Sequence, residues 1–131
     1  MSELRKDYIL DRYAIIALER GKRPHQFSKD VQSKDVKMCF FCQGNEDTTP
    51  PEKGRKENEN GWYIRWFDNK FPAVKKEGNP NLTTDNFYYT FASAFGEHEV
   101  IVESPNHYDD LADLSTDHIK EIFYVYNDRI E

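Results

Sequence analysis

The chain has 131 residues, a formal net charge of −6 and a mean hydropathy of −0.90. That length fits one domain with a real core, the acidic balance argues against a general nucleic-acid binder, and no apolar run approaches the roughly 18 residues needed to span a bilayer. Charged residues make up 32% of the chain and aromatics 15%, so the expected core rests on aromatic-rich strands helped by external staples.

The N-terminal residues Met1-Ser-Glu-Leu-Arg-Lys-Asp7 contain no apolar segment of a secretory signal, which makes a cytoplasmic setting the expectation. Tyr13-Ala-Ile-Ile-Ala-Leu18 reads as a strand leading into Arg20-Gly-Lys-Arg23 and Pro24. Three cations in four residues fit either a solvated turn or a grip on phosphate. The turn Cys39-Phe-Phe-Cys42 comes next. Residues 47–60 are polar and rich in breakers, and read as a mobile surface loop. Trp62-Tyr-Ile-Arg-Trp-Phe67 alternates as a strand with Trp62, Ile64 and Trp66 on one face. A turn at residues 68–72 and a polar connection at 75–85 follow. Residues 87–92 and 98–103 read as two strands of an antiparallel hairpin. Ser115 is the expected N-cap of a helix that carries Ile119, Ile122, Phe123, Tyr126 and Ile130 as one apolar stripe. That pattern meets Glu131 without a stop signal, so the native chain is expected to continue. The sum is an α+β fold, a mostly antiparallel sheet with one amphipathic helix.

Cys39 and Cys42 are the only cysteines. Two thiolates at this spacing hold one Zn²⁺ from a tight turn, each at about 2.3 Å, and leave a tetrahedral ion two ligands short. His25, His98, His107 and His118 are available to complete it. In a reducing compartment such a pair is metal-bound or redox-active rather than a structural disulfide. Two ordinary small buried residues are the bland alternative. A redox dithiol usually opens a helix in a βαβ unit, a pattern absent around Phe40.

Five blocks, in order, resemble the N-terminal part of galactose-1-phosphate uridylyltransferases, a branch of the histidine-triad superfamily. They are Glu3-Leu-Arg-Lys-Asp7, Glu19-Arg-Gly-Lys-Arg-Pro24, Cys39-Phe-Phe-Cys-Gln-Gly-Asn45, Asn69-Lys-Phe-Pro-Ala73 and Gly96-Glu-His-Glu-Val-Ile-Val-Glu-Ser-Pro-Asn-His107. Leu111-Ala-Asp-Leu-Ser115, at the helix entry, matches as well. The resemblance implies a histidine-triad-like fold, here incomplete, with residues 1–131 as its N-terminal portion. It implies movement of UMP between UDP-hexose and hexose 1-phosphate through a histidine that carries the uridylyl group. That histidine belongs to a His-x-His-x-Gln strand. These residues contain no His-x-His, so no catalytic residue is assigned and the chain alone is expected not to turn over.

The resemblance further implies a structural Zn²⁺ held by Cys39, Cys42 and His107, with the fourth ligand in the missing motif. Arg20 and Arg23 would meet the nucleotide's phosphates, reaching across a homodimer. Asn69 would meet the ribose or base edge, and Phe41, Phe67, Phe71 and Val100 would wall the base. Lys70 stands where well-known members carry an acidic residue, which leaves uracil and adenine both open. An adenylyl-specific nucleotide-sugar phosphorylase is therefore the near alternative. The alternative of another class is a non-enzymatic zinc-knuckle module that closes its shell with His98 or His25. His98 otherwise reads as structural, and His25 and His118 receive no role.

Overall fold

The computed structural model describes residues 2–22 and 39–131. Among them are seven strands and one α-helix: β1 (Glu3–Lys6), β2 (Tyr13–Ile16), β3 (Glu52–Asn58), β4 (Gly61–Asp68), β5 (Thr83–Asp85), β6 (Tyr89–Ser93), β7 (Glu99–Val102) and α1 (Thr116–Ile130). They fall into two compact units, one built from the N-terminal strands with Asp68–Glu99, the other from residues 39–67 with Val100–Glu131. The α+β class with antiparallel sheet is as expected from the sequence.

In the first unit the strand order is β2-β1-β6-β5, antiparallel throughout. Asp7 shapes the β1–β2 connection: its Oδ1 accepts the backbone N–H groups of Ile9 (2.9 Å) and Leu10 (3.2 Å). Glu3 sits opposite Ser93 and accepts from the Tyr89 hydroxyl at 2.7 Å, joining β1 to β6 by side chains as well as by the ladder. After β2 a 3₁₀ turn, Leu18–Lys22, carries Arg20. The strand expected over residues 13–18 thus gives way to this turn at Leu18.

In the second unit the order is β3-β4-β7, and α1 packs Ile122 and Val125 against Ile64. All three are essentially buried, and Tyr63, Trp66, Ile101, Leu114 and Tyr126 close around them. Ser115 caps α1 by accepting the His118 backbone N–H at 3.2 Å. The buried stripe differs from the expected one. Val125 takes a core position, whereas Phe123 and Ile130 are 58% and 85% exposed.

Three further expectations are corrected. Residues 47–60 are not simply a loop, because β3 lies within them and pairs with β4. Its less exposed positions are Glu52, Gly54 and Lys56, polar residues or glycine. A register shift after Glu52 sets that residue opposite Phe67, while Gly54 and Lys56 lie opposite Trp66 and Ile64. The pairing of this edge strand is thus hidden in a polar sequence. Residues 87–92 and 98–103 do not form a hairpin: β6 joins the sheet of the first unit and β7 that of the second. Trp62 does not share a face with Ile64 and Trp66. Lys56 pairs with Ile64 but Glu57 with Trp62, so Tyr63 is an extra residue, a β-bulge. The bulge turns Tyr63 toward α1 with Ile64 and Trp66, and sends Trp62 to the side of Arg65 and Phe67. No helix among the described residues is long and apolar enough to cross a membrane.

Candidate metal centre

Cys39 and Cys42 lie on a hydrogen-bonded turn in which the Cys42 N–H donates to the Cys39 carbonyl at 3.4 Å. Each carbonyl from residue 39 to 42 has a partner. The Asn45 side-chain amide donates to Cys39 O (2.9 Å), and the Asn45 backbone N–H to Cys42 O (3.2 Å). Thr48 Oγ1 donates to Phe40 O at 3.3 Å, and Arg65 reaches both Phe40 O and Phe41 O. Glu46 accepts the Gly44 N–H and the Trp62 indole N–H. The indole hydrogen bond is the main reason its carboxyl is held below the usual range. The turn is set by its own hydrogen bonds before any ion is considered.

His107 arrives from the loop after β7. Asp109 organises that loop by accepting from Ser104 Oγ (2.7 Å) and from the Asn106 side-chain amide (2.6 Å). At its root, Glu103 is tied twice to α1. Its carbonyl lies 2.8 Å from His118 Nε2, and its carboxylate accepts the Tyr126 hydroxyl. His118 also packs edge-on against Tyr63, so its role is to fasten the loop.

These two segments bring the ligand atoms of Cys39, Cys42 and His107 within 4.8 Å of one another. Cys42 Sγ is 3.5 Å from His107 Nδ1, close to the about 3.6 Å that separates a thiolate and an imidazole on a tetrahedral zinc. Both cysteines are free thiols, half-buried, and the imidazole is exposed. Burial, and then the neighbouring Cys39 thiol, push the Cys42 thiol above its ordinary value. A divalent cation supplies the charge that lets such thiols serve as thiolates. The donor set fits Zn²⁺. The cysteines stand at a turn and not at the start of an α-helix, so the helix-terminus activation of a redox dithiol is lacking.

His98 is placed elsewhere. Its Nδ1 accepts the Ala73 N–H at 2.9 Å, and its Nε2 lies 3.2 Å from the Asn69 amide. The hydrogen bond accepted by Nδ1 holds the ring within a turn, as suits a structural histidine. Among the described residues the sulfur–imidazole cluster has three members. His25 and Arg23 lie outside the described residues.

The expected nucleotide residues form two groups, one in each unit. In the first unit, Phe71 gathers Arg20 and Asn69 on its backbone. Arg20 Nη1 donates to Phe71 O (3.3 Å), and Asn69 Oδ1 accepts Phe71 N–H (2.8 Å). In the second unit, Phe41 stacks on Phe67 with centroids 6.3 Å apart and planes 18° apart. Phe41 is 43% exposed but Phe67 only 2%, so Phe67 backs Phe41 and does not face solvent. Val100 is half-buried in β7.

Sequence reading missed Arg65, Glu46 and Asp109. For Arg65 there was a usable signal, a lone charge inside an otherwise apolar strand. The acidic pair had none, being two among 24 Asp and Glu residues.

Two antiparallel sheets and one long helix make an α+β fold that carries this sulfur–imidazole cluster. The sequence profile described as galactose-1-phosphate uridyl transferase, N-terminal domain, matches residues 1–131, and the chain belongs to that family. An ADP-glucose phosphorylase from Arabidopsis thaliana is 34% identical over 137 aligned positions, covering 98% of this chain and 38% of the relative. The chain therefore spans well under half of that protein's length. The crystal structure of an Arabidopsis thaliana ADP-glucose phosphorylase with bound ADP-glucose matches with a TM-score of 0.56 at 30% identity, over 99% of this chain and 37% of that one. A uridylyltransferase structure matches with a TM-score of 0.59 at 30% identity, over 94% and 32%.

Proposed function

We propose that this chain is the N-terminal portion of a nucleotidyltransferase that moves a nucleoside monophosphate between a nucleotide sugar and a hexose 1-phosphate, UMP and UDP-hexose in the primary reading. The observation that carries it is the convergence of Cys39, Cys42 and His107 in a chain matched end to end by the family profile. Zinc bound there acts as a staple between the Cys-x-x-Cys turn and the His107 loop. A closed structural zinc contributes on the order of 10 kcal/mol to folding, and three ligands give less.

The chain's own residues bind and orient. Arg20 spends one Nη donor on Phe71 O and keeps the remaining guanidinium hydrogens for phosphate oxygens. Arg23 is assigned the same task. Asn69 Oδ1 already accepts one hydrogen bond, which fixes the amide and leaves one lone pair for a ribose hydroxyl or base edge. In the second unit the exposed ring of Phe41 offers a stacking surface held by Phe67, with Val100 as an apolar residue of the same unit, and in the first unit Phe71 keeps its assignment to the base. Acceleration in the intact protein comes from holding phosphates in line and offsetting their charge. No nucleophilic histidine motif lies in residues 1–131, so this stretch alone does not turn over. The intact protein is read as a cytoplasmic homodimer, whose second copy would cover Ile15 and Leu18, now 47% and 76% exposed.

A second reading, adenylyl transfer from an ADP-sugar, is favoured by the Arabidopsis thaliana relative and by Lys70. Thermal unfolding of the zinc-loaded protein with UMP, AMP, UDP-glucose and ADP-glucose separates the two, because a ligand of the native state raises Tm by mass action. A shift with uridine ligands alone supports the primary reading, and with adenosine ligands alone the second. No shift with any of them refutes nucleotide binding. Multiple turnovers of UMP transfer by residues 1–131 alone would overturn the fragment assignment.

A further inference from the structure

The least ordinary side chain in the second unit is Arg65, fully buried at 0% exposure in the middle of β4. Its guanidinium lies between two aromatic rings, 5.0 Å from the Trp62 ring and 4.9 Å from that of Phe67. Nη2 donates to Phe40 O (3.4 Å) and Phe41 O (3.3 Å), the carbonyls of the two residues between the cysteines. Nη1 donates to Thr49 Oγ1 (3.0 Å) and to Glu52 Oε1 (3.3 Å). Nε is buried and has no hydrogen-bond partner among the described residues.

Stability alone is a poor reason for such a group. Buried ion pairs are often replaceable by apolar residues without loss, and here one donor is left unsatisfied besides. What the guanidinium provides is a planar fork that pins adjacent carbonyls of one turn to a rigid strand, which the ammonium of a lysine does not reproduce. We infer that Arg65 is the positioning residue of the metal centre: it holds the Cys39–Cys42 turn at ligand spacing before the ion binds. The Tyr63 bulge enables this, because it brings Trp62 onto the face of Arg65 to complete the aromatic sandwich. The Glu52 carboxylate offsets the buried charge from β3. This inference rests on the metal reading above and adds to it the residue that sets the affinity.

The test uses the full chain, its Arg65→Lys and Arg65→Met variants, and Glu52→Gln as a milder change that leaves the turn untouched. Zinc affinity is measured by competition with a chromophoric chelator, cobalt coordination by its thiolate charge-transfer band, and Tm with and without zinc. The unchanged protein binds one zinc. Both Arg65 variants bind it about 10–100-fold more weakly, the usual range for losing a group that orients metal ligands, and Glu52→Gln a few-fold more weakly. The rise in Tm on adding zinc shrinks in the same order. If the Arg65 variants lose Tm equally with and without zinc while keeping the original zinc affinity, Arg65 is only a core fastener and the inference fails. If the unchanged protein takes up no zinc, the metal reading falls first and this inference with it. Arg65→Lys guards against an unfolded Arg65→Met, since it keeps both the charge and most of the volume.

Discussion

Tyr126→Phe removes the hydroxyl that α1 donates to Glu103 where β7 runs into the His107 loop. Burial first, then the hydrogen bond to Glu103 and its negative charge, push the Tyr126 phenol from 10.0 up to about 12. At roughly 1.4 kcal/mol per unit, two units correspond to about 3 kcal/mol favouring the neutral phenol in the folded state. Tyr126 keeps some contact with water, which screens part of that and brings the figure to about 1–2 kcal/mol. The native state holds this proton more tightly than the unfolded one. The contribution is therefore fully present below the unfolded value near pH 10 and is lost as pH rises toward the folded value of about 12. Urea midpoints of the original and Tyr126→Phe proteins, taken at about pH 8 and about pH 11.5, isolate the effect, because all other titrations cancel in the difference. The original protein should lead by about 1–2 kcal/mol at the lower pH, and the gap should narrow by more than half at the higher. A gap that is absent at both pH values, or constant between them, refutes the view that this pair fastens the loop to the helix.

Ile122→Ala should remove about 2–5 kcal/mol by opening a cavity against Ile64 and Val125, read from the urea midpoint at unchanged slope. A loss below about 1 kcal/mol would mean that α1 is not docked on β4 through this residue. Gly54→Ala places a methyl group inside the Trp66 indole. It should lower stability by about 1–3 kcal/mol and shift tryptophan emission, and an unchanged spectrum with unchanged Tm would contradict the packing. Cys42→Ser should abolish stoichiometric zinc as measured by elemental analysis, whereas His98→Ala should retain it. Loss of zinc in His98→Ala would favour the closed zinc-knuckle module.

Legibility followed the kind of interaction that decides each feature. Ser115 and the helix after it were readable because capping and 3.6-residue periodicity are local. The Cys39, Cys42 and His107 set was readable only through family resemblance, since residues 65 positions apart are joined by the fold and not by spacing. The β6–β7 hairpin was misjudged because two strong neighbouring strands pair locally by default. Here the chain after β6 instead bridges to Lys75, with Lys75 N–H donating to Ala94 O at 3.0 Å. β3 escaped notice because an edge strand can pair through a polar sequence. The exchange of faces at Trp62 needed the register of the facing strand, which no pattern within residues 61–68 contains.

The Tyr63 bulge leaves β4 out of phase with itself, and the two sides of the strand thereby serve separate masters. Side chains turned toward α1 pack the interior and touch the cation site only through the helix, whose His118 and Tyr126 hold Glu103 at the root of the His107 loop. The other side of the strand carries Arg65 to the cysteine turn. Excising that single residue would merge the two sides: the indole would swing back among the aliphatics, and the guanidinium would lose half its aromatic housing. One inserted amino acid thus lets a single strand serve the hydrophobic interior on one side and the cysteine turn on the other.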